Sequence, residues 1–273
     1  METGFKIAVS GKGGTGKTTI AAMLAHLTAA EGYRVLAVDA DPDANLAAGL
    51  GMPVEERSRL IPLSERRALI EERTGAKVKE YGQMFKLNPK VSDIAENVSA
   101  RFRGIDLLVM GAIEGGLSGC ACPESVLLRA LLNDVVLYKD DCVIVDMEAG
   151  LEHLGRGTAQ GVDMMLVVVE PGRRAVETAV AVQRMAVEIG VKQVALFGNK
   201  VTCPRDETFL EQTFSDDGYL GQLPLSDTIM RADREDQPLI DIADETLMGH
   251  FRCLWEDLKL RSGRIHAIEE DIT

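Results

Sequence analysis

Ser10-Gly11-Lys12-Gly13-Gly14-Thr15-Gly16-Lys17-Thr18-Thr19 lies between the apolar run Phe5-Lys6-Ile7-Ala8-Val9 and a stretch from Ile20 to Ala30. The apolar run suits a buried strand, and the stretch beyond the loop is rich in strong helix formers. Strand, glycine loop and helix form the context that a G-x-x-x-x-G-K-[ST] match requires. Gly11, Gly13, Gly14 and Gly16 tolerate positive φ, so successive backbone N–H groups can turn inward around a phosphate chain. The helix N-terminus adds partial positive charge at the same point. Lys17 is expected to reach the β- and γ-phosphates and the Thr18 hydroxyl to bind Mg²⁺, with Thr15 and Thr19 completing the cradle. The plain alternative is a glycine turn without a ligand, and the flanking strand and helix weigh against it. The stretch implies a nucleoside triphosphate site.

Lys12 is redundant for that site, because Lys17 already neutralises the β/γ charge. Its side chain leaves near the start of the loop and could instead reach a nucleotide held by a facing copy. A solvated surface lysine is the alternative.

At 273 residues the chain is long enough for one large α/β domain with a substantial core. Hydrophobic residues at 46% and charged residues at 27% are ordinary for a globular protein. A net charge of −13 and a pI near 4.9 oppose broad binding to nucleic acid or anionic membrane. The start carries no charged segment followed by a long apolar one, and no run approaches membrane-spanning length. A cytoplasmic location is therefore expected, and the five cysteines do not read as a disulfide framework. Strands alternating with helical stretches predict a doubly wound, mostly parallel sheet with helices on both faces. Residues 1–273 are expected to form a single domain of this kind.

Arg34-Val-Leu-Ala-Val-Asp-Ala40 reads as the next strand, followed by Asp41-Pro42-Asp43-Ala44-Asn45. Carboxylates at the carboxyl edge of a parallel sheet point into the ligand crevice. Alternatively, Asp41 and Asp43 cap the short helix that follows. Residues 52–103 mix arginines and glutamates and predict a charge-rich helical insertion with a solvated face.

Ile105 to Met110 reads as a strand, and a glycine-rich loop leads from it into Cys120-Ala121-Cys122-Pro123-Glu124. Pro123 suits the first position of a helix, and Leu127, Leu128, Leu131, Leu132 and Val135 repeat at helical spacing. Cys122 then sits at the helix start, where the dipole favours the thiolate that metals bind. One C-x-C fills half of a tetrahedral S₄ site, and a twofold axis would supply the other half. Cys120 and Cys122 are thus candidate ligands for Ni²⁺ or Zn²⁺, against the simpler reading of two small loop residues.

Cys142-Val-Ile-Val-Asp146 is a buried strand whose Asp146 would hold Mg²⁺ through water, while Cys142 packs in the core. His153 reads as a switch or interface residue, or simply a surface histidine. Strands at Met164–Val169 and Gln193–Phe197 flank a helix over Arg174–Ile189. Gly198-Asn199-Lys200-Val201-Thr202 ends the last of these where a base would lie. Thr202 stands where guanine recognition would need an aspartate, and Asn199 could accept the adenine amino group, so ATP is favoured. Tyr219 to Pro224 is a last strand. No role is assigned to Cys203 or Cys253.

The K-G-G-T-G-K-T string resembles the deviant phosphate loop of the nitrogenase iron protein, MinD and ParA group. The resemblance implies that Lys12 crosses a dimer interface to the partner's ATP. It also implies that Asp41 orients the attacking water, with Asp39 nearer the magnesium, and that the Gly150 N–H senses the γ-phosphate. Asn199 and Lys200, with Leu223 and Pro224 of a second base-contacting loop, would hold the base. C-A-C-P-E followed by L-L-R-A-L-L, and D-M-E-A-G-x-E-H-L-G-R, look further like the nickel-insertion ATPases of the CooC/AcsF type. Those mature carbon monoxide dehydrogenase and acetyl-CoA synthase. The resemblance implies an ATP-dependent homodimer, ATP/ADP and Mg²⁺ as cofactors, and a client nickel enzyme. A MinD- or ParA-like positioning ATPase without metal is the alternative. The acidic tail Glu269-Glu270-Asp271 lacks the basic face of a membrane-targeting helix.

Overall fold

The computed structural model describes residues 5–77, 84, 86, 88–111, 126–127, 130–131, 133–135, 142–148, 162–215 and 218–262. Eight strands form one sheet: β1 (Lys6–Gly11), β2 (Val35–Asp39), β3 (Ala100–Phe102), β4 (Ile105–Val109), β5 (Cys142–Asp146), β6 (Met164–Val169), β7 (Val194–Val201) and β8 (Tyr219–Pro224). Their order is β3-β4-β2-β5-β1-β6-β7-β8. Seven strands run parallel, and β3 pairs antiparallel to β4 at one edge.

Between their ends the central strands are mostly apolar, because both faces are covered. Ile7 and Val9 of β1, with Val35 and Ala37 of β2, enter the core on one face. Ala8, Leu36 and Val38 enter the core on the other. The first face is covered by α1 (Lys17–Ala30), which is buried nearly all round, from Ile20 to Thr28. The period-2 alternation of the strands thus separates two cores, which makes the sheet doubly wound.

The segment expected as a charged insertion contributes more than a solvated face. It holds α3 (Val54–Arg57), α4 (Arg67–Thr74) and α5 (Ile94–Val98), and α2 (Leu46–Gly49) lies just ahead of it. Leu63, Ile70, Val91 and Ile94 are buried in the second core, and the edge strand β3 closes the segment. The charges turn outward, as in the two-pronged Arg73–Asp93 contact at 2.8 Å. Charge alternation masked the apolar positions in the sequence.

On the second face lie α6 (Arg173–Ile189) and α7 (Pro204–Phe214), and Leu127, Leu131 and Val135 are buried beside them as their spacing predicts. Leu128 and Leu132 are outside the described residues. Beyond β8 come α8 (Asp227–Arg234), α9 (Leu239–Ile242) and α10 (Glu245–Arg261). Trp255 of α10 packs edge-on against Phe5 and donates to Glu31 at 2.8 Å, tying the last helix to the first.

Candidate nucleotide-binding site

The loop between β1 and α1 is shaped by glycine at two points where no other residue fits. Gly11 has φ 147°, and an added Cβ would lie 2.4 Å from the Val168 carbonyl oxygen of β6. Gly16, at φ 92°, would place a Cβ 2.3 Å from the Asn199 amide nitrogen. Gly14 is also at positive φ, whereas Gly13 is not, so its place in the loop does not rest on left-handed backbone. Gly16 caps α1 without a side-chain bond, and no acidic residue lies in the first turn. The first-turn N–H groups therefore have no intrahelical or capping acceptor and suit an anion.

A cleft of about 610 Å³ opens over this loop, with Gly14, Gly16, Lys17, Thr18 and Thr19 on its floor. Lys17 is 6% exposed and its Nζ lies 3.5 Å from the Lys12 carbonyl. The same carbonyl accepts from Thr15 Oγ1 at 2.8 Å and from the Thr15 amide at 3.2 Å. The Lys12 side chain is exposed and does not line the cleft.

Two buried aspartates meet at the carboxyl edge. Asp39 of β2 and Asp146 of β5 are register partners. Burial pushes Asp39 up to about 7, opposed by its bond from the Leu46 N–H and reinforced by Asp146. Burial likewise pushes Asp146 up to about 6, opposed by Thr18 and Lys17. Among the described residues neither Asp146 oxygen has a full hydrogen-bond partner, so the approach of Thr18 is loose. A buried carboxylate with unused oxygens beside a hydroxyl suits a hydrated magnesium ion, which takes few protein ligands. No group of three His, Cys, Asp or Glu side chains assembles into a metal site among the described residues.

Asp39 accepts from the Leu46 N–H at 2.9 Å, so it is Asp39 that holds the first turn of α2. Asp41 and Asp43 do not cap it; Asp41 Oδ1 accepts from the Asp43 N–H at 3.0 Å, closing a turn. Both line the cleft with Glu148, which the sequence did not single out.

The base side differs in detail from expectation. β7 runs on to Val201, so Asn199 and Lys200 lie within the strand, at an irregular stretch of its pairing with β8. Asn199 is 5% exposed and donates to the Thr15 carbonyl at 2.7 Å. The Leu223 side chain is fully buried in the core, while Pro224 and Leu225 line the cleft. Ile229 and Met230 of α8 extend that apolar wall. The signal for them was an amphipathic segment directly after the last strand. Cys120, Cys122, Gly150 and His153 lie outside the described residues.

The CobQ/CobB/MinD/ParA nucleotide binding domain family matches residues 6–239. The carbon monoxide dehydrogenase accessory protein CooC of Rhodospirillum rubrum is 44% identical over 239 residues, 88% of this chain and 90% of that protein. An uncharacterised ATP-binding protein of Methanocaldococcus jannaschii is 44% identical over 238 residues, 86% and 91% of the two chains. MinD of Pyrococcus horikoshii in complex with Mg-ADP superposes with a TM-score of 0.66 at 20% identity, covering 98% of this chain and 100% of that one. That likeness carries the fold. With the phosphate loop, the acidic edge and these relatives together, the chain belongs to the CobQ/CobB/MinD/ParA nucleotide-binding family, as an ATPase of its CooC branch.

Proposed function

We propose that this ATPase is a metallochaperone whose ATP-driven homodimer assists nickel insertion into a carbon monoxide dehydrogenase, an acetyl-CoA synthase, or both. The observation that carries the proposal is the 44% identity, over 88% of the chain, to a protein named for carbon monoxide dehydrogenase accessory function.

In the nucleotide cleft, Lys17 and the first-turn amides of α1 bind the β- and γ-phosphates. Thr18 would hold magnesium directly and Asp146 would hold it through water. When bound, the ion neutralises charge on the phosphoryl oxygens. Asp41, which lines the cleft, accepts a hydrogen bond from the attacking water and aims it in line. Lys12 acts on the nucleotide of a facing copy, a reading supported by its exposure and its absence from its own cleft wall. The Gly150 amide is the proposed sensor of the γ-phosphate.

Cys120 and Cys122 of each protomer bind the cargo metal, Ni²⁺ or Zn²⁺, as four thiolates around a twofold axis. Hydrolysis changes the spacing of the two cysteine loops and so the metal affinity. Metal analysis tests this reading: the purified dimer should hold one ion, half an equivalent per chain. Cys120→Ser or Cys122→Ser should lose nearly all bound metal while keeping basal ATP hydrolysis. One metal per chain, or full binding by Cys122→Ser, rules out the shared site. Activation of a nickel-free client without ATP rules out the switch.

A further inference from the structure

Among the described residues three non-glycine positions have positive φ: Arg103, Lys200 and Asp236. Two of them belong to ion pairs that tie the charge-rich segment 52–103 to the chain beyond β8. Arg103 and Gly104, at φ 48° and 81°, turn β3 into β4, where Phe102 pairs with Ile105. A two-residue turn of this kind needs positive φ at both places and favours asparagine followed by glycine. Arginine stands in the first place instead, and its guanidinium meets both carboxylate oxygens of Asp241 in α9 at 2.7 Å. Asp236 holds φ 51° just past α8, where the Gln237 N–H donates to the Ala232 carbonyl at 2.9 Å and the Asp236 N–H to that of Asp233 at 3.3 Å. These two bonds close a helix end of the kind that glycine ordinarily fills. Aspartate fills it here, and its carboxylate meets Arg57 of α3. Close by, Gly51 approaches Pro238 so tightly that an added Cβ would lie 2.5 Å from the proline ring.

Isolated exposed ion pairs contribute little. These two differ in what they join: Arg57 and Asp236 stand 179 positions apart, and Arg103 and Asp241 stand 138 apart. Each also places a charged residue at a turn where backbone preference selects another. Their far partners bracket one stretch, in which Asp233, Asp236, Gln237 and Leu239 line the nucleotide cleft beside Ile229 and Met230. Neither Arg57 nor Arg103 lines it.

We propose that Arg57 and Arg103 are positioning residues for nucleotide binding. Through Asp236 and Asp241 the segment 52–103 holds the α8–α9 stretch in place as the cleft wall on which the nucleoside rests. Neither pair touches the phosphate loop, so the hold acts on affinity and leaves the chemical step alone. By linkage, bound nucleotide tightens the grip on the segment by the factor with which the grip tightens nucleotide binding. The proposal rests on the cleft being the ATP site and is independent of the metal and the client.

The test is MgATP binding and steady-state hydrolysis by the full chain. Wild type is titrated first; no binding there removes the site and the proposal with it, whereas every later outcome bears on the proposal alone. Arg57→Met and Arg103→Met should each weaken ATP about threefold, raising KM and leaving kcat within about twofold. Asp236→Asn keeps a residue that tolerates left-handed backbone and loses the charge. It should lose the same factor as Arg57→Met, and the double variant should lose no more than either alone. Exchanging the other pair, Arg103→Asp with Asp241→Arg, should recover most of what Arg103→Met loses, which a general loss of packing would not do. Amide exchange over residues 54–58 should slow about threefold when MgATP is added to wild type, and not in Arg57→Met. If Arg103→Met does not fold, the Arg57 pair carries the comparison. Wild-type ATP affinity in Arg57→Met and Arg103→Met overturns the proposal. Losses that multiply between Arg57→Met and Asp236→Asn overturn it equally, because Asp236 would then meet the nucleotide without Arg57.

Discussion

In the proposed mechanism Lys17 and Asp41 divide binding from chemistry. Lys17→Ala removes the buried cation facing the β/γ position, so productive nucleotide binding should vanish in a fluorescent-nucleotide titration. Asp41→Ala leaves the cradle intact and removes the proposed acceptor for the water. It should bind ATP normally while phosphate release falls about 100-fold or more. Unimpaired turnover in Asp41→Ala would take that residue out of the mechanism. Asp39 and Asp146 make a separate prediction for the metal-free protein. Both hold their protons above the ordinary aspartate range, Asp39 to about 7 and Asp146 to about 6. From about pH 4 to pH 7 the native chain therefore binds protons that the unfolded chain releases, and this pair's contribution to stability falls as pH rises. Asp39→Asn cannot ionise but loses one of two acceptors, so it should be less stable than wild type at pH 5 and less disadvantaged at pH 7.5. A difference in melting temperature that does not narrow with pH would show that Asp39 is ionised throughout. Lys17 and Thr18 were legible from motif spacing. Asp39 holding α2 was not, because proximity in sequence made Asp41 and Asp43 the obvious caps.

The β1–loop–α1 unit depends on a close pass between neighbouring strands. Gly11→Ala must push a methyl against the Val168 carbonyl, and backbone cannot yield as a side chain tip can. The variant should lose about 2–3 kcal/mol in denaturant unfolding and weaken ATP binding along with it. Gly13→Ala meets nothing within 4 Å and sits outside left-handed backbone, so its stability should change by less than about 0.5 kcal/mol. At the far end of the chain, α10 is fastened by Trp255, which is 2% exposed. Trp255→Ala should cost about 3–5 kcal/mol. Trp255→Phe keeps most of the apolar volume and loses only the bond to Glu31, so it should cost far less. The strands and long helices were readable from apolar periodicity. The segment 52–103 was readable as helical, but the edge strand β3 and the bounds and buried positions of its short helices were not, because their buried residues are sparse among charges.

Assembly belongs to the proposed function. If Lys12 serves the facing protomer, Lys12→Gln should weaken ATP-driven dimerisation, seen by sedimentation, while monomer affinity for nucleotide stays within about twofold. Mixing Lys12→Gln with a Lys17→Ala partner then separates the two arrangements. Action in trans restores hydrolysis at the Lys12→Gln protomer's site, supplied with the partner's Lys12, whereas action within one chain leaves the mixture dead. No helix among the described residues is long and apolar enough to cross a membrane.

The nucleotide class, the phosphate cradle, the parallel sheet and the family were all legible in the order of residues, because each rests on chemistry within a short span. A glycine loop, a lysine and a hydroxyl at the head of a helix act together over ten positions, and strand and helix periods declare themselves locally. The pairing of Asp39 with Asp146, the burial that raises both, and the grip of Asn199 on Thr15 arose from folding alone. Asn199 and Thr15 stand 184 positions apart. Their contact exists because β7 lies two strands from β1 in the sheet and both end at one edge. Local propensity sets what each segment becomes, but which carbonyl a distant amide meets depends on strand order and register.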